Sequence, residues 1–181
     1  MKILEKLETK RLNLRPIKDD DFQEFLSLIC KLDSEDFLYF IPENKTYEKV
    51  ELLIKSVISS FDTSTPIYFF LIIEKESDLL LGFCGLLPLK WTNQLKCIYG
   101  LQPQYLGNGY MIEALKKLFE YGFLVLNLTK IVAFIPPNNT KAWKVAERAG
   151  MKYMGHISYK EIQRAMFFII DKIDFIKQTS Y

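Results

Sequence analysis

Polar and apolar residues first alternate regularly at Arg11-Leu-Asn-Leu-Arg15. A period of two predicts a strand, and Pro16, which carries no amide hydrogen, is expected to stop it. Asp19, Asp20 and Asp21 then offer an N-cap and first-turn negative charge to a helix with Phe22, Phe25, Leu26 and Ile29 at helical spacing. A second helix is expected after Thr46, burying Val50, Leu53, Ile54, Val57 and Phe61. The apolar runs Ile67–Glu74, Leu80–Leu87 and Leu95–Leu101 are separated by polar turn residues and predict an antiparallel meander. A third helix fits Tyr110–Phe123, with Ile112, Leu115, Leu118, Phe119 and Phe123 inward. Lys130–Ile135 follows as a short strand, and Asn139–Ala149 as a fourth helix closed by Gly150. Strands near Met151–His156 and Ala165–Asp174 complete the order β-α-α-β-β-β-α-β-α-β-β. That order describes one mixed α/β domain over residues 1–181.

Composition narrows the function classes. With 181 residues the chain can bury one substantial core, and a net charge of +2 with no Lys/Arg block gives no reason to expect nucleic acid. Cys30, Cys84 and Cys97 sit in apolar runs, so buried, reduced thiols are expected. They lack the paired spacing of a zinc site, and a lone His156 cannot supply one, so no metal is expected. Met1–Lys10 is too charged for a signal peptide, and Ile67–Ile73 is too short to span a bilayer. The expectation is a soluble cytoplasmic protein with no membrane partner.

The segment from Tyr99 to Leu115 carries the most chemistry. A predicted strand enters a turn containing Gly107 and Gly109, and the turn opens onto an amphipathic helix. Free N–H groups at a helix start, together with the positive dipole end, favour an anion, and glycine lets the backbone approach a bulky phosphate. A diphosphate ligand follows from this reading; a purely structural connection is the alternative. No Gly-Lys-Ser/Thr or GxGxxG pattern is present, which argues against a Walker loop or a dinucleotide fingerprint.

Gln104-x-x-Gly107-x-Gly109 resembles the Q/R-x-x-G-x-G/A signature of the GNAT superfamily of N-acetyltransferases. The resemblance extends to Gly100-Leu-x-Pro103, to Tyr110-x-x-Glu113-Ala114 and to the stretch from Pro137 through Asn139, Ala142 and Val145 to Met151. The opening Leu7-Glu-Thr-Lys-Arg-Leu-Asn-Leu-Arg-Pro16 is similar to the ribosomal-protein N-terminal acetyltransferase branch. The resemblance implies a mixed central sheet whose fourth and fifth strands, Leu95–Leu101 and Lys130–Ile135, splay to admit pantetheine. It implies acetyl-coenzyme A as cosubstrate, with its diphosphate on the amides of Leu106, Gly107, Asn108, Gly109 and Tyr110 and with Gln104 bracketing the loop. Backbone at Tyr99, Gly100 and Leu101 would lie beside the thioester, and Asn139 would touch the coenzyme arm, although Asn is also a preferred helix cap. Glu113 is expected to be structural.

The sequence also departs from the family pattern. The usual carboxylate base on the strand before the turn corresponds to Lys96, and the usual acids of the fourth helix correspond to Ala146 and Ala142. A lysine replaces that carboxylate only if burial lowers its pKa a long way. Tyr99, Tyr105, Tyr153, Tyr159 and His156 are substitutes by residue type alone, and no catalytic residue is assigned. Cys84 and Cys97 are expected to be packing residues rather than acyl carriers. For the acceptor, Tyr39, Phe40 and Glu43 within Ser34–Asn44, and Glu161, could line a site for a cationic amine; a helix connection with a few core aromatics is the preferred reading of that segment. Three functions follow: acetylation of a protein or peptide N-terminus, acetylation of a polyamine or aminoglycoside, or acyl-coenzyme A binding without turnover. The first is preferred.

Overall fold

The computed structural model describes residues 5–32, 45–89, 92, 94–159 and 162–179. Strands β1 (Leu7–Glu8) and β2 (Leu12–Pro16) are followed by helices α1 (Phe22–Cys30) and α2 (Tyr47–Ser60). Then come β3 (Tyr68–Glu74), β4 (Leu80–Pro88), β5 (Leu95–Leu101), α3 (Tyr110–Glu120) and β6 (Lys130–Ile135). The chain continues through α4 (Thr140–Arg148), β7 (Lys152–Tyr159), β8 (Ile162–Asp171) and α5 (Lys172–Thr179). One mixed sheet holds the strands in the order β1-β2-β3-β4-β5-β6-β8-β7.

Helices cover both faces, which explains the unbroken apolar runs of the central strands. On β3, Phe70 and Ile72 join a core with Leu115, Phe119 and Ala146 of α3 and α4. Phe69, Leu71 and Ile73 face the other way, against Phe25, Ile54 and Val57 of α1 and α2. The same alternation sorts β5: Cys97 belongs to the α3/α4 side and Ile98 to the α1/α2 side.

The sheet parts between β5 and β6. These strands run parallel and register only at Leu95↔Ile131 and Lys96↔Val132. Beyond Lys96, β5 stays on β4 as far as Leu101↔Gly82, whereas β6 follows β8 as far as Ile135↔Met166. Gly82 is required for the first of these pairings, since a Cβ there would lie 2.1 Å from the Gly100 carbonyl oxygen. The splayed pair of the expected fold is therefore built from tight β4–β5 and β6–β8 ladders with little joining them.

The structure departs from the sequence pattern at several elements. The final strand ends at Asp171, not Asp174, and α5 follows. Lys172 N–H donates to the Thr129 carbonyl (3.0 Å), and Phe175 turns inward onto Phe123, with ring centroids 5.3 Å apart. A short apolar run of this kind has no period that distinguishes helix from strand. The two-residue β1, paired through Leu7↔Leu14, was also not expected. Pro16 closes β2 from within, opposite Phe70. The third helix changes to a π turn at Tyr121–Val125, and Met111 is buried where Ile112 was expected inward. Asp21 does not cap α1: it accepts from Lys18 N (2.8 Å) and from both terminal nitrogens of Arg15 (2.6 and 2.7 Å). Cys30 is exposed at the end of α1, while Cys84 and Cys97 are buried free thiols. Among the described residues no helix is long and apolar enough to cross a membrane.

Candidate active site

After β5 the backbone makes a short 3-10 turn, Pro103–Tyr105, then passes through Gly107 (φ +83°), Asn108 and Gly109 (φ +76°) into α3. Positive φ at two positions is what glycine supplies without a Cβ clash. The Leu106 N–H, one of the expected donors, already donates to the Pro103 carbonyl (3.3 Å). The helix ladder starts with Glu113 N–H to the Gly109 carbonyl (3.1 Å). Between them, the amides of Gly107, Asn108, Gly109 and Tyr110 have no acceptor among the described residues. A Cβ on Gly107 would meet nothing within 4 Å, so this part of the turn faces open space.

Two side-chain networks hold the turn. Buried Gln102 donates to the Leu80 carbonyl (2.6 Å) and accepts from Lys31 Nζ and Gln104 Nε2, both at 3.1 Å. Gln104 thus ties the loop to β4 and the end of α1. On the other side, Glu113 accepts from Thr9 Oγ1 (2.6 Å), Arg11 N (2.9 Å) and Arg11 Nε (2.7 Å). Arg11 also donates to the Asn108 carbonyl (3.0 Å) and lies over the Tyr110 ring, whose hydroxyl donates to Glu74. Burial pushes the Glu113 pKa up, but the hydrogen bonds from Thr9 and Arg11 outweigh it and hold the carboxyl below its ordinary value of 4.5. A folded pKa below the unfolded one gives stability that is complete above the unfolded value and lost as pH falls through the folded value. Glu113→Gln should therefore cost about 1–2 kcal/mol at pH 7. The deficit should shrink in acid, as measured by urea unfolding at both pH values; a deficit independent of pH would contradict the assignment.

Where β5 has left its pairing with β6, a groove of about 130 Å³ lies between β5 and α4, lined by Tyr99, Gly100, Leu101, Asn139, Ala142 and Val145 among others. Asn139 caps α4, its Oδ1 accepting from Ala142 N–H (2.9 Å), so the helix start is placed against the groove. The Tyr99 hydroxyl donates to the Ala142 carbonyl (2.8 Å), and burial pushes its phenol well above the usual range. It therefore cannot serve as a base near neutral pH. Ala146 is fully buried on the inner face of α4 and packs rather than reacts.

Lys96, the last β5 residue in register with β6, is 8% exposed. Its Nζ lies 5.5 Å from the centre of the Tyr159 ring, and Tyr159 stacks on Phe134 at 4.0 Å, which in turn stacks on Phe167 at 5.4 Å. By strand alternation Lys96 projects to the α1/α2 face, opposite α3. Tyr153 and His156 pair with each other (2.8 Å) on the edge strand β7 and do not line the groove, and Tyr105 packs against the α3-side core. Burial raises the pKa of Cys84 and Cys97, which keeps both thiols protonated. Segment 34–44 and Glu161 lie outside the described residues. Among those described, no group of three or more His, Cys, Asp or Glu is placed to hold a metal.

Splayed parallel strands beside a glycine turn at a helix start define an acyltransferase scaffold, and residues 11–152 match the acetyltransferase (GNAT) domain family. The chain belongs to that family and is an N-acetyltransferase. It is 26% identical over 169 residues to the uncharacterised N-acetyltransferase p20 of Bacillus licheniformis, covering 93% of each chain. The spermidine N(1)-acetyltransferase of Escherichia coli is 32% identical over 60 residues, 33% of this chain and 32% of that enzyme. Among solved structures, the ribosomal-protein-S5-alanine acetyltransferase of Vibrio fischeri superposes with a TM-score of 0.77 at 17% identity, covering 94% of this chain and 98% of that one. At that identity the superposition speaks for the fold alone.

Proposed function

We propose that the protein transfers an acetyl group from acetyl-coenzyme A to the α-amino group of a protein or peptide. The carrying observation is the juxtaposition of the β5–β6 gap with the undonated amides of Gly107, Asn108, Gly109 and Tyr110. Those amides suit a diphosphate, and the gap beside Tyr99, Gly100 and Leu101 suits a narrow pantetheine arm. Acetyl-coenzyme A supplies an activated acyl carbon, and the chain supplies position. Orientation of amine and thioester alone removes several kcal/mol of the barrier. The amine nitrogen bonds to the carbonyl carbon, the carbon–sulfur bond breaks, and the amine loses a proton to solvent.

The α1/α2 face favours an acceptor with one amine and an apolar neighbour. Polyamines carry several ammonium groups, which carboxylates match well. The described strands next to the splay carry the stacked rings of Tyr159, Phe134 and Phe167, which suit an apolar neighbour of a single amine. The 32% identity over 60 residues with a spermidine acetyltransferase favours a polyamine as the second reading. Thiol release from acetyl-coenzyme A should be measured with short peptides, free or blocked at the N-terminus, and with spermidine. Turnover is expected on free peptides, with loss on blocking. Turnover on spermidine with none on any peptide would reverse the order of the two readings.

A further inference from the structure

The back of the glycine turn is held by the start of the chain, from 97 positions away in sequence. Arg11 is gripped by Glu113 through its backbone N and Nε, and its backbone carbonyl accepts from Lys75 N (2.8 Å). Its guanidinium carbon sits 4.4 Å from the centre of the Tyr110 ring. So fixed, Nη1 donates to the carbonyl of Asn108, the residue between two glycines of positive φ. A Cβ on Gly109 would lie 3.6 Å from Nη2, so the guanidinium closes the rear of the turn at this point too.

In a trans peptide the carbonyl and the following N–H point in opposite directions. An Asn108 carbonyl held toward Arg11 therefore sends the Gly109 N–H to the opposite side, away from the cation. A charged donor on that carbonyl also polarises the peptide and strengthens the N–H as a donor. Glycines on either side would otherwise let the peptide rotate at little cost, and binding would then have to order it.

We infer that Arg11 is a positioning residue for the coenzyme: it locks the Asn108–Gly109 peptide with its N–H turned toward the diphosphate. This rests on the acetyl-coenzyme A reading above. Arg11 does not touch the ligand; it acts through the peptide it holds, and Glu113 and Thr9 act through Arg11.

The test combines calorimetry with amide NMR on wild type and Arg11→Met, using coenzyme A as the probe. Loss of one oriented donor to the diphosphate should raise Kd about tenfold. At saturating coenzyme A, the downfield movement of the Gly109 amide proton seen in wild type should be largely lost in the variant, while that of Gly107 persists. Merely structural damage would not single out Gly109. Arg11→Lys, which keeps the charge but cannot span Glu113 and Asn108 together, should show the same Gly109 signature and serves if Arg11→Met does not fold. A Kd within twofold of wild type in a folded variant, or an unchanged Gly109 shift at saturation, overturns the proposal. No binding of coenzyme A by the wild type would instead overturn the reading on which it rests.

Discussion

Gly107→Glu is expected to raise the Kd for coenzyme A by about a hundredfold or more while leaving the fold intact. The side chain would enter open space, so no packing is disturbed. Placing a non-glycine residue at φ +83° costs only about 1–2 kcal/mol of strain. Binding suffers more: a carboxylate about 5 Å from a diphosphate charge repels it by roughly 3 kcal/mol at the effective dielectric of a protein surface. Gly107→Ala carries the strain without the charge and should weaken binding much less. Gly109→Glu is the less clean variant, because its carboxylate would lie beside Arg11. Calorimetry and circular dichroism on the same samples separate affinity from folding. Unchanged affinity in a folded Gly107→Glu protein would remove the diphosphate from this turn.

The second large effect concerns pH. The family resemblance assigns Lys96 to the usual position of the carboxylate base, and the Tyr99 phenol keeps its proton. If turnover runs without a protein base, it needs the acceptor amine already neutral, since an alkylammonium has no lone pair. Below the amine's pKa, kcat/KM should rise about tenfold per pH unit and level off at a value set by the acceptor. Two peptides whose amines differ by about two units, roughly 2.7 kcal/mol, should show inflections displaced by the same interval. A single inflection common to both, abolished by replacing one Asp or Glu, would instead identify a protein base.

The elements that frame the site were legible because their patterns are local. Leu95–Leu101 and Lys130–Ile135 are apolar runs with clear edges, and the structure returns both ranges unchanged. Asn139 was legible as a cap because Asn before an amphipathic run has a specific backbone role. Glu113 was recognised as structural from its place in the first turn of α3, but its partners were not. Thr9 and Arg11 meet it only after β1 and β2 have joined the sheet, and no periodicity links positions so far apart. The C-terminal helix was missed for a different reason. Ile173 reads equally well as the continuation of β8, which puts the expected strand end at Asp174, whereas α5 begins at Lys172 and packs Phe175 on Phe123. The engagement of the Leu106 amide is not legible in the sequence, because the 3-10 turn that holds it leaves no mark in composition.

The most direct test is a thermal-denaturation titration with acetyl-coenzyme A, coenzyme A, ATP and NAD in parallel. A ligand bound only by the native state stabilises it by RT ln(1 + [L]/Kd), about 2.7 kcal/mol at a hundred times Kd. For a domain of this size that corresponds to a Tm higher by about 5–10 °C. The two coenzyme A species should produce that rise in a concentration-dependent way, and ATP and NAD should leave Tm unchanged. No shift with either coenzyme A species at millimolar concentration would contradict acetyl-coenzyme A as the donor bound at the turn before α3.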